Sequence, residues 1–383
     1  MYKSKLKTQK LKTEKTPFYY YDLDLLKTSL SAAKSEADKY GYVLHYASKA
    51  NANPVLMKII SAAGFGADCV SGNEIIRAVE CGFPPELINF AGVGKSDEEI
   101  NIGLDNRIFC FNCESMQEIE VIDELAARRQ CTAPLALRVN PNVDAHSHHY
   151  ITTGLEENKF GIAINDLNAV VDRLLTLKNV KLIGLHFHVG SQISDMNVFR
   201  ALCQKMNECN ETMRARNLNL VHLNAGGGLG VDYENPDENP IPDFASYFGV
   251  FNEFLKLYPG QKLHFEPGRS IVAQCGALVS KVLYVKKGQK INFAILDAGM
   301  TDLIRPALYQ AYHKIENLSS DLPEEIYDVV GPICESSDCF GKAVRMAEAR
   351  RGDFVVIRTA GAYGEMMASR YNLRKLPEST FSN

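Results

Sequence analysis

The stretch Tyr42-Val43-Leu44-His45-Tyr46-Ala47-Ser48-Lys49-Ala50-Asn51 decides how the chain is read. Its apolar first half is the signature of a buried strand in a parallel sheet. It ends on a lone lysine among small residues, just before Asn53-Pro54 opens a helix. A lysine at the mouth of a buried strand is costly unless it is paired or reacts. Desolvation favours the neutral amine, which can attack a carbonyl to form a Schiff base. A lysine that reaches past the strand end into solvent is the competing reading, and the ends of later strands decide between the two.

Upstream, Pro17-Phe18-Tyr19-Tyr20-Tyr21 reads as a strand, and Asp22 to Lys39 as a helix with Leu25, Leu26, Leu30 and Ala33 on one face. Downstream, apolar strand, loop and amphipathic helix repeat. The expected strands are Tyr42–Ala47, Gly64–Asp68, Ile88–Ala91, Arg107–Phe111, Leu135–Asn140, Lys181–His188, Leu218–Ala225 and Lys262–Glu266. The expected helices are Pro54–Ala63, Gly72–Cys81, Ser96–Leu104, Ser115–Ala127, Asn165–Leu177, Met196–Arg216 and Asp243–Leu257. Eight strands alternating with helices predict an α/β fold, a (β/α)8 TIM barrel of roughly 250 residues. A doubly wound open sheet is the rival. It needs no eighth strand, and it usually carries a glycine-rich turn after its first strand, which is absent here.

After Arg269 the rhythm changes to short β-rich runs, Ala277–Lys286, Ile291–Leu296, Ile326–Val330 and Phe354–Thr359, punctuated by Gly and Pro. The expected division is a basic mobile arm over 1–15, a strand over 16–23 that joins the C-terminal sheet, a barrel over 24–266 and a mostly β domain over 267–383.

Composition narrows the function classes. Among 383 residues, 42 Lys and Arg against 46 Asp and Glu give a net charge of −4, which argues against nucleic acid or an anionic membrane as partner. The ten cysteines are scattered, as in a chain of reduced thiols, and predict a cytoplasmic location. Met1 to Lys15 holds six lysines and no apolar segment, so it reads neither as a secretory signal nor as a membrane span. No run in the chain has the length to cross a bilayer.

Barrel active sites sit at the C-terminal ends of the strands. The ends here are Lys49, then His186-Phe187-His188-Val189-Gly190-Ser191, then Gly226-Gly227-Gly228, then Glu266-Pro267-Gly268-Arg269. A triple glycine lets backbone N–H groups approach an oxyanion, although alone it is equally a tight turn. The loops after strands seven and eight are where barrels hold phosphate, Ser191 adds a hydroxyl, and Arg269 suits a phosphate or a carboxylate. Lysine, phosphate cradle, flat His188 and carboxylate Glu266 together suggest pyridoxal 5'-phosphate. Lys49 would bond its aldehyde, His188 stack on the ring and Glu266 keep the ring nitrogen protonated. For any one of these residues, a core histidine or a capping carboxylate remains an alternative. Four such residues at four strand ends favour the cofactor.

These motifs, with Asp302-Leu303-Ile304-Arg305-Pro306-Ala307-Leu308-Tyr309, Cys334-Glu335-Ser336-Ser337-Asp338 and Gly361-Ala362-Tyr363, resemble the fold-type III, alanine-racemase-like, pyridoxal-phosphate-dependent decarboxylases almost over the full chain. The resemblance implies a Schiff-base Lys49 and a ring-stacking His188. It implies a phosphate held by Ser191, Gly227, Gly228 and backbone from Glu266 through Gly268 to Arg269, with Tyr363 bonded to it. Arg269, Arg305, Tyr309 and Tyr363 would contact an amino-acid substrate. Cys334 and Glu335 would enter from the partner subunit of a homodimer, with Cys334, or else Lys49, returning a proton after CO2 leaves. A thiol of ordinary pKa, about 8.5, is protonated enough at neutral pH to do so. Two arginines offer charge for a carboxylate far from the reacting carbon, and Glu335 for a distal ammonium. A substrate with an amino-acid group at each end fits, meso-2,6-diaminopimelate giving L-lysine. Ornithine, lysine, arginine or carboxynorspermidine are the alternatives, as is a non-catalytic cofactor-binding protein.

Two further signals are read as structural. Cys110-Phe111-Asn112-Cys113 is a single pair without the second pair zinc needs. His146, His148 and His149 fall in a polar stretch, expected to be a mobile loop near the barrel mouth that closes over substrate, with zinc binding as the alternative.

Overall fold

The computed structural model describes residues 14–143 and 159–382. Most of the expected N-terminal arm and the group His146, His148 and His149 lie outside the described residues.

Eight parallel strands form a closed ring: Val43–Ala47, Gly66–Cys69, Ile88–Phe90, Cys110–Cys113, Ala133–Asn140, Val180–His186, His222–Asn224 and Lys262–Phe265. The last pairs with the first, His264 beside Val43 and Phe265 beside Leu44, so the barrel has no edge to protect. Three helices follow the same sequence device, a serine cap with glutamate three residues on. Ser71, Ser96 and Ser115 each accept from the backbone N–H of Glu74, Glu99 and Glu118. The glutamates also reach back to the loops that precede their helices. Glu74 accepts from the N–H of Val70 at 2.8 Å, and Glu118 from that of Glu114 at 2.7 Å. A single motif therefore starts the helix and fixes the strand end it leaves.

Several strands are shorter or shifted from expectation. The fourth is Cys110–Cys113 rather than Arg107–Phe111, because Arg107 has φ +52° in the turn that ends the preceding helix. The sixth stops at His186 rather than His188, and the seventh covers only His222–Asn224. The first ends at Ala47 as expected, and Lys49 follows on a tight turn, Ser48–Ala50.

The chain divides into two compact units. One holds Leu30–Gly230 and Asp243–Gly268; the other holds the residues up to Ser29, Val231–Pro242 and Arg269 onward. The segment Val231–Pro242 thus interrupts the range 24–266 expected for the barrel. It carries no helix or strand period to betray itself, and it is held in the β-rich unit by Asp237, whose carboxylate lies 2.9 Å from the Arg358 guanidinium.

In the β-rich unit the long strand Gly276–Lys287 organises the sheet. Its first half pairs antiparallel with Phe18–Tyr21 and Phe354–Ile357, and its second half with Asn292–Leu296. The early aromatic strand joins this sheet as expected, and Phe18, Tyr20, Ala277, Val279, Leu318 and Val356 form its core. Three strands went unforeseen, Ile315–Asn317, Cys339–Ala347 and Glu378–Phe381, each short or polar in pattern. No helix among the described residues is long and apolar enough to cross a membrane.

The barrel interior is polar where most barrels are aliphatic. His45 Nε2 lies 2.8 Å from His264 Nδ1, and the ring of His222 meets that of His264 edge-on at 4.2 Å between centroids. Both nitrogens of His222 are buried without a hydrogen-bond partner among the described residues. Burial holds all three imidazoles neutral, with the His222 pKa down at about 3. The unfolded chain binds these protons from about pH 6.5 downward while the folded chain refuses them. Stability is therefore complete above pH 6.5 and declines below it, by about 1.4 kcal/mol per pH unit for each histidine. The urea midpoint is expected to fall between pH 6.5 and 4, and His222→Leu to flatten that slope. An unchanged slope in the variant would assign the effect elsewhere.

Candidate active site

Lys49 stands on its turn because the turn is pinned from below. The Ser48 hydroxyl donates to Glu74 at 2.6 Å, and the Tyr46 hydroxyl donates to the Asn51 carbonyl at 2.9 Å. A Cβ on Gly268 would stand 3.0 Å from the Ala47 side chain, so glycine lets the eighth strand end pack there without displacing its neighbour. Lys49 Nζ lies 3.3 Å from Asp68 Oδ2, a partner the strand-end reading missed although Asp68 ends the second strand expected from sequence. Burial, together with the Glu266 charge, pushes the Asp68 carboxyl up to about 7. A carboxyl titrating near neutrality beside an amine can exchange a proton with it. Asp68 Oδ1 is buried and unpartnered.

The barrel also holds a buried lysine, and its contacts show why it is not the reactive one. Lys95 is 1% exposed, donating to Glu118 at 2.5 Å and to the carbonyls of Gly92 and Asn112 at 2.8 Å each. Its three protons are committed. The Lys49 side chain is 37% exposed.

Glu266 is buried at the eighth strand end. Asn224 Nδ2 donates to its Oε1 at 2.6 Å, Asn112 Nδ2 to the same oxygen at 3.4 Å, and His186 Nε2 to Oε2 at 2.9 Å. Burial alone would raise this carboxyl; the charge and hydrogen bond of His186, with Lys49, outweigh it and hold the group below the usual carboxylate range. Neither asparagine was singled out from sequence, although both lie at strand ends.

The glycine turn is a built cradle. A Cβ on Gly227 would meet the Glu266 carbonyl at 2.4 Å, and one on Gly226, at φ +71°, would meet that of Phe187 at 2.4 Å. Gly228 adopts φ +121° beside the Gly190 carbonyl. The Gly227 N–H donates to His188 Nδ1 at 3.3 Å, which ties the turn to the sixth strand end and requires that nitrogen to be bare. Burial and the Lys49 charge keep His188 neutral. Ser191 follows in the loop between Gly190 and Gln192, both at positive φ.

The β-rich unit gathers a second group. Arg269 NH1 donates to the Tyr233 hydroxyl at 2.6 Å, and its guanidinium lies 4.9 Å from the Tyr363 ring centroid. Arg305 sits 5.0 Å from the Tyr233 ring and donates to His313 Nε2 at 2.9 Å. His313 Nδ1 in turn donates to the Arg358 carbonyl at 2.8 Å, so its tautomer is fixed and Nε2 is the acceptor. Both arginines are buried. Burial lowers the Arg305 guanidinium, and among the described residues no carboxylate pairs with it. Burial would raise the Tyr233 phenol, but the two arginine charges hold it down. Tyr309 ends the short helix Arg305–Tyr309 and bears electrostatically on Arg269. Tyr233 and His313 were not foreseen: one lies in the unpatterned segment, and the other looks like any histidine after a helix.

Cys334 and Glu335 are exposed. Tyr371 donates to Glu335 at 2.7 Å, and the Cys334 N–H to Asn372 at 3.5 Å. Cys110 and Cys113 are buried in their strand, their thiols turned to the Phe111 carbonyl. No group of metal-binding side chains occurs among the described residues.

The sequence profile of the pyridoxal-dependent decarboxylases, pyridoxal binding domain, matches residues 23–273. The chain belongs to this family. A diaminopimelate decarboxylase of Bacteroides thetaiotaomicron is 59% identical over 98% of this chain and 97% of its own. The crystal structure of diaminopimelate decarboxylase from Helicobacter pylori complexed with L-lysine superimposes with a TM-score of 0.91 at 38% identity, covering 97% of this chain and 93% of that one. A lysine/ornithine decarboxylase from Vibrio vulnificus, at 23% identity and a TM-score of 0.84 over 97% of this chain and 96% of its own, shares the fold. The barrel of this pyridoxal-dependent decarboxylase fits the cofactor on its own geometry. It offers a partly exposed lysine at a strand end, a turn where side chains are sterically barred, and buried atoms on Asp68 and His186 that have no hydrogen-bond partner among the described residues.

Proposed function

We propose that the chain decarboxylates meso-2,6-diaminopimelate to L-lysine and CO2, the last step of lysine biosynthesis, as a cytoplasmic pyridoxal-phosphate enzyme. The observation that carries the substrate is Arg305, a buried guanidinium that no carboxylate among the described residues pairs with, next to Arg269 on a shared tyrosine. Two adjacent buried cations call for an anionic ligand, and a bidentate carboxylate meets that demand. The diaminopimelate decarboxylases among its relatives support the same reading.

In the barrel, Lys49 would hold the cofactor's aldehyde, with His188 against the ring and Glu266 at the ring nitrogen. Ser191, Gly227, Gly228 and the backbone from Glu266 through Gly268 to Arg269, with Tyr363, would hold the phosphate. When bound, pyridoxal phosphate supplies an electron sink for the pair left behind by CO2. The side chains do the rest. Asp68 takes up or returns the Lys49 proton at 3.3 Å. Arg269, Arg305 and Tyr309 orient the substrate carboxylate, and Glu335 its distal ammonium. Cys334 or Lys49 returns a proton to the reacting carbon.

A homodimer with Cys334 and Glu335 serving the partner's site is part of this proposal. Tyr371 donates to Glu335 and Asn372 accepts from the Cys334 N–H, and beside them Leu373 is 96% exposed, an apolar side chain that a second copy would cover.

Following CO2 from purified protein offered diaminopimelate, ornithine, lysine and arginine separately tests the substrate. Brisk release from ornithine with none from diaminopimelate would refute it. Gly227→Ala is expected to weaken cofactor binding at least about tenfold, since one Cβ must displace a backbone carbonyl. Titration of cofactor into the apo-protein by absorbance measures this, and wild-type affinity in the variant would remove the turn from the phosphate site.

A further inference from the structure

We propose that His186 is a positioning residue for Glu266, donating one Nε2–H···Oε2 hydrogen bond that keeps the carboxylate ionised and one Oε2 lone pair aimed at the cofactor's ring nitrogen. This rests on the assignment of Glu266 as the partner of that nitrogen.

The lone pairs of Glu266 are unequally occupied. Oε1 is taken by two neutral amides, Asn224 at 2.6 Å and Asn112 at 3.4 Å. These orient the carboxylate and do not respond to pH. Oε2 accepts one bond, from His186 at 2.9 Å, and a carboxylate oxygen has room for two. The imidazole is buried, and its Nδ1 has no hydrogen-bond partner among the described residues. A proton placed on Nδ1 alone would be a buried donor without an acceptor, whereas one on Nε2 is received by Glu266, so the hydrogen bond runs Nε2–H···Oε2. His186 and His188 are two apart on an extended segment, which sends both side chains to the same side of the barrel wall.

Other titratable groups bear on Glu266 from every neighbouring element, and none can substitute. His45, His188 and His222 are held neutral by burial. Burial keeps the Cys110 thiol and the Tyr247 phenol protonated. Asp68 is a like charge, which opposes ionisation of Glu266. Lys49 is a cation, but it is assigned to the cofactor's aldehyde. His186 is left as the donor that biases Glu266 toward its ionised form.

His186→Leu is expected to raise the acid limb of the kcat/KM profile by about one pH unit and to weaken cofactor binding to the apo-protein about tenfold. It should also shift the pH titration of the bound cofactor's absorbance in the same direction. His186→Gln, whose amide nitrogen reaches the same place, should restore all three. A leucine variant with wild-type profile and absorbance overturns the proposal, as does a glutamine variant that fails to rescue. If the leucine variant does not fold, His186→Asn against His186→Gln decides: equal behaviour of the short and long amides overturns it. Glu266→Gln in the same absorbance titration separates the two levels. No change there removes Glu266 from the ring nitrogen, whereas a change there without one in His186→Leu removes only His186.

Discussion

Lys49→Ala loses decarboxylation on the order of 10^3-fold, and borohydride no longer fixes a chromophore to the peptide spanning residue 49. The expectation follows from the contrast between the two barrel lysines. Lys95 has every proton bonded to Glu118, Gly92 or Asn112 and no access, so it locks the third strand end to a helix. Lys49 is reachable, and the Asp68 beside it titrates near neutrality. An amine must shed its proton to attack an aldehyde, and a carboxyl pushed up to about 7 can take that proton and give it back. Lys95→Met provides the control. It breaks a buried pair, costs about 3–5 kcal/mol of stability and lowers the melting temperature, while the borohydride label stays on Lys49. Full activity in Lys49→Ala, or a label on another lysine, would overturn the assignment.

Arg305→Met raises KM for diaminopimelate between about 10- and 100-fold, with a smaller change in kcat. A charge-assisted hydrogen bond is worth about 1.5–3 kcal/mol when desolvated, and each 1.4 kcal/mol, roughly, is tenfold. The distal carboxylate is held equally in substrate and transition state, so its loss falls on KM. The effect should be specific, because His313 and Tyr233 keep the arginine in one orientation: a neutral imidazole accepts from NH1 at 2.9 Å while the phenol ring lies against the guanidinium. A KM within twofold of wild type would place the distal carboxylate elsewhere and reopen the choice among diamino acids.

The fold was legible because barrel strands announce themselves by apolar runs and serine-capped helices between them. The strand ends were legible for a chemical reason: lysine, glycine runs and glutamate are each costly there without a purpose. What escaped was whatever depends on a partner distant in sequence. Asp68 is an ordinary aspartate until Lys49 is placed 3.3 Å away. Asn112 and Asn224 are unremarkable amides until both meet Glu266. Tyr233 lies in a stretch of Asp, Glu, Asn and Pro without period, and nothing in that stretch says it leaves the barrel unit. The strand Glu378–Phe381 is polar enough to pass for a tail, and only its parallel pairing with Phe18–Tyr21 makes it structure.

That last pairing sets a timetable for birth on the ribosome. Phe18 lies beside Glu378, so its neighbour is made 360 residues later. At roughly 5–20 residues per second, the strand waits about 20–70 s for this parallel partner, although its antiparallel partner Gly276–Val279 is made about 100 residues earlier. Until Gly276–Val279 has been made, Phe18-Tyr19-Tyr20-Tyr21 is an exposed apolar segment that must be kept from sticking to other polypeptides.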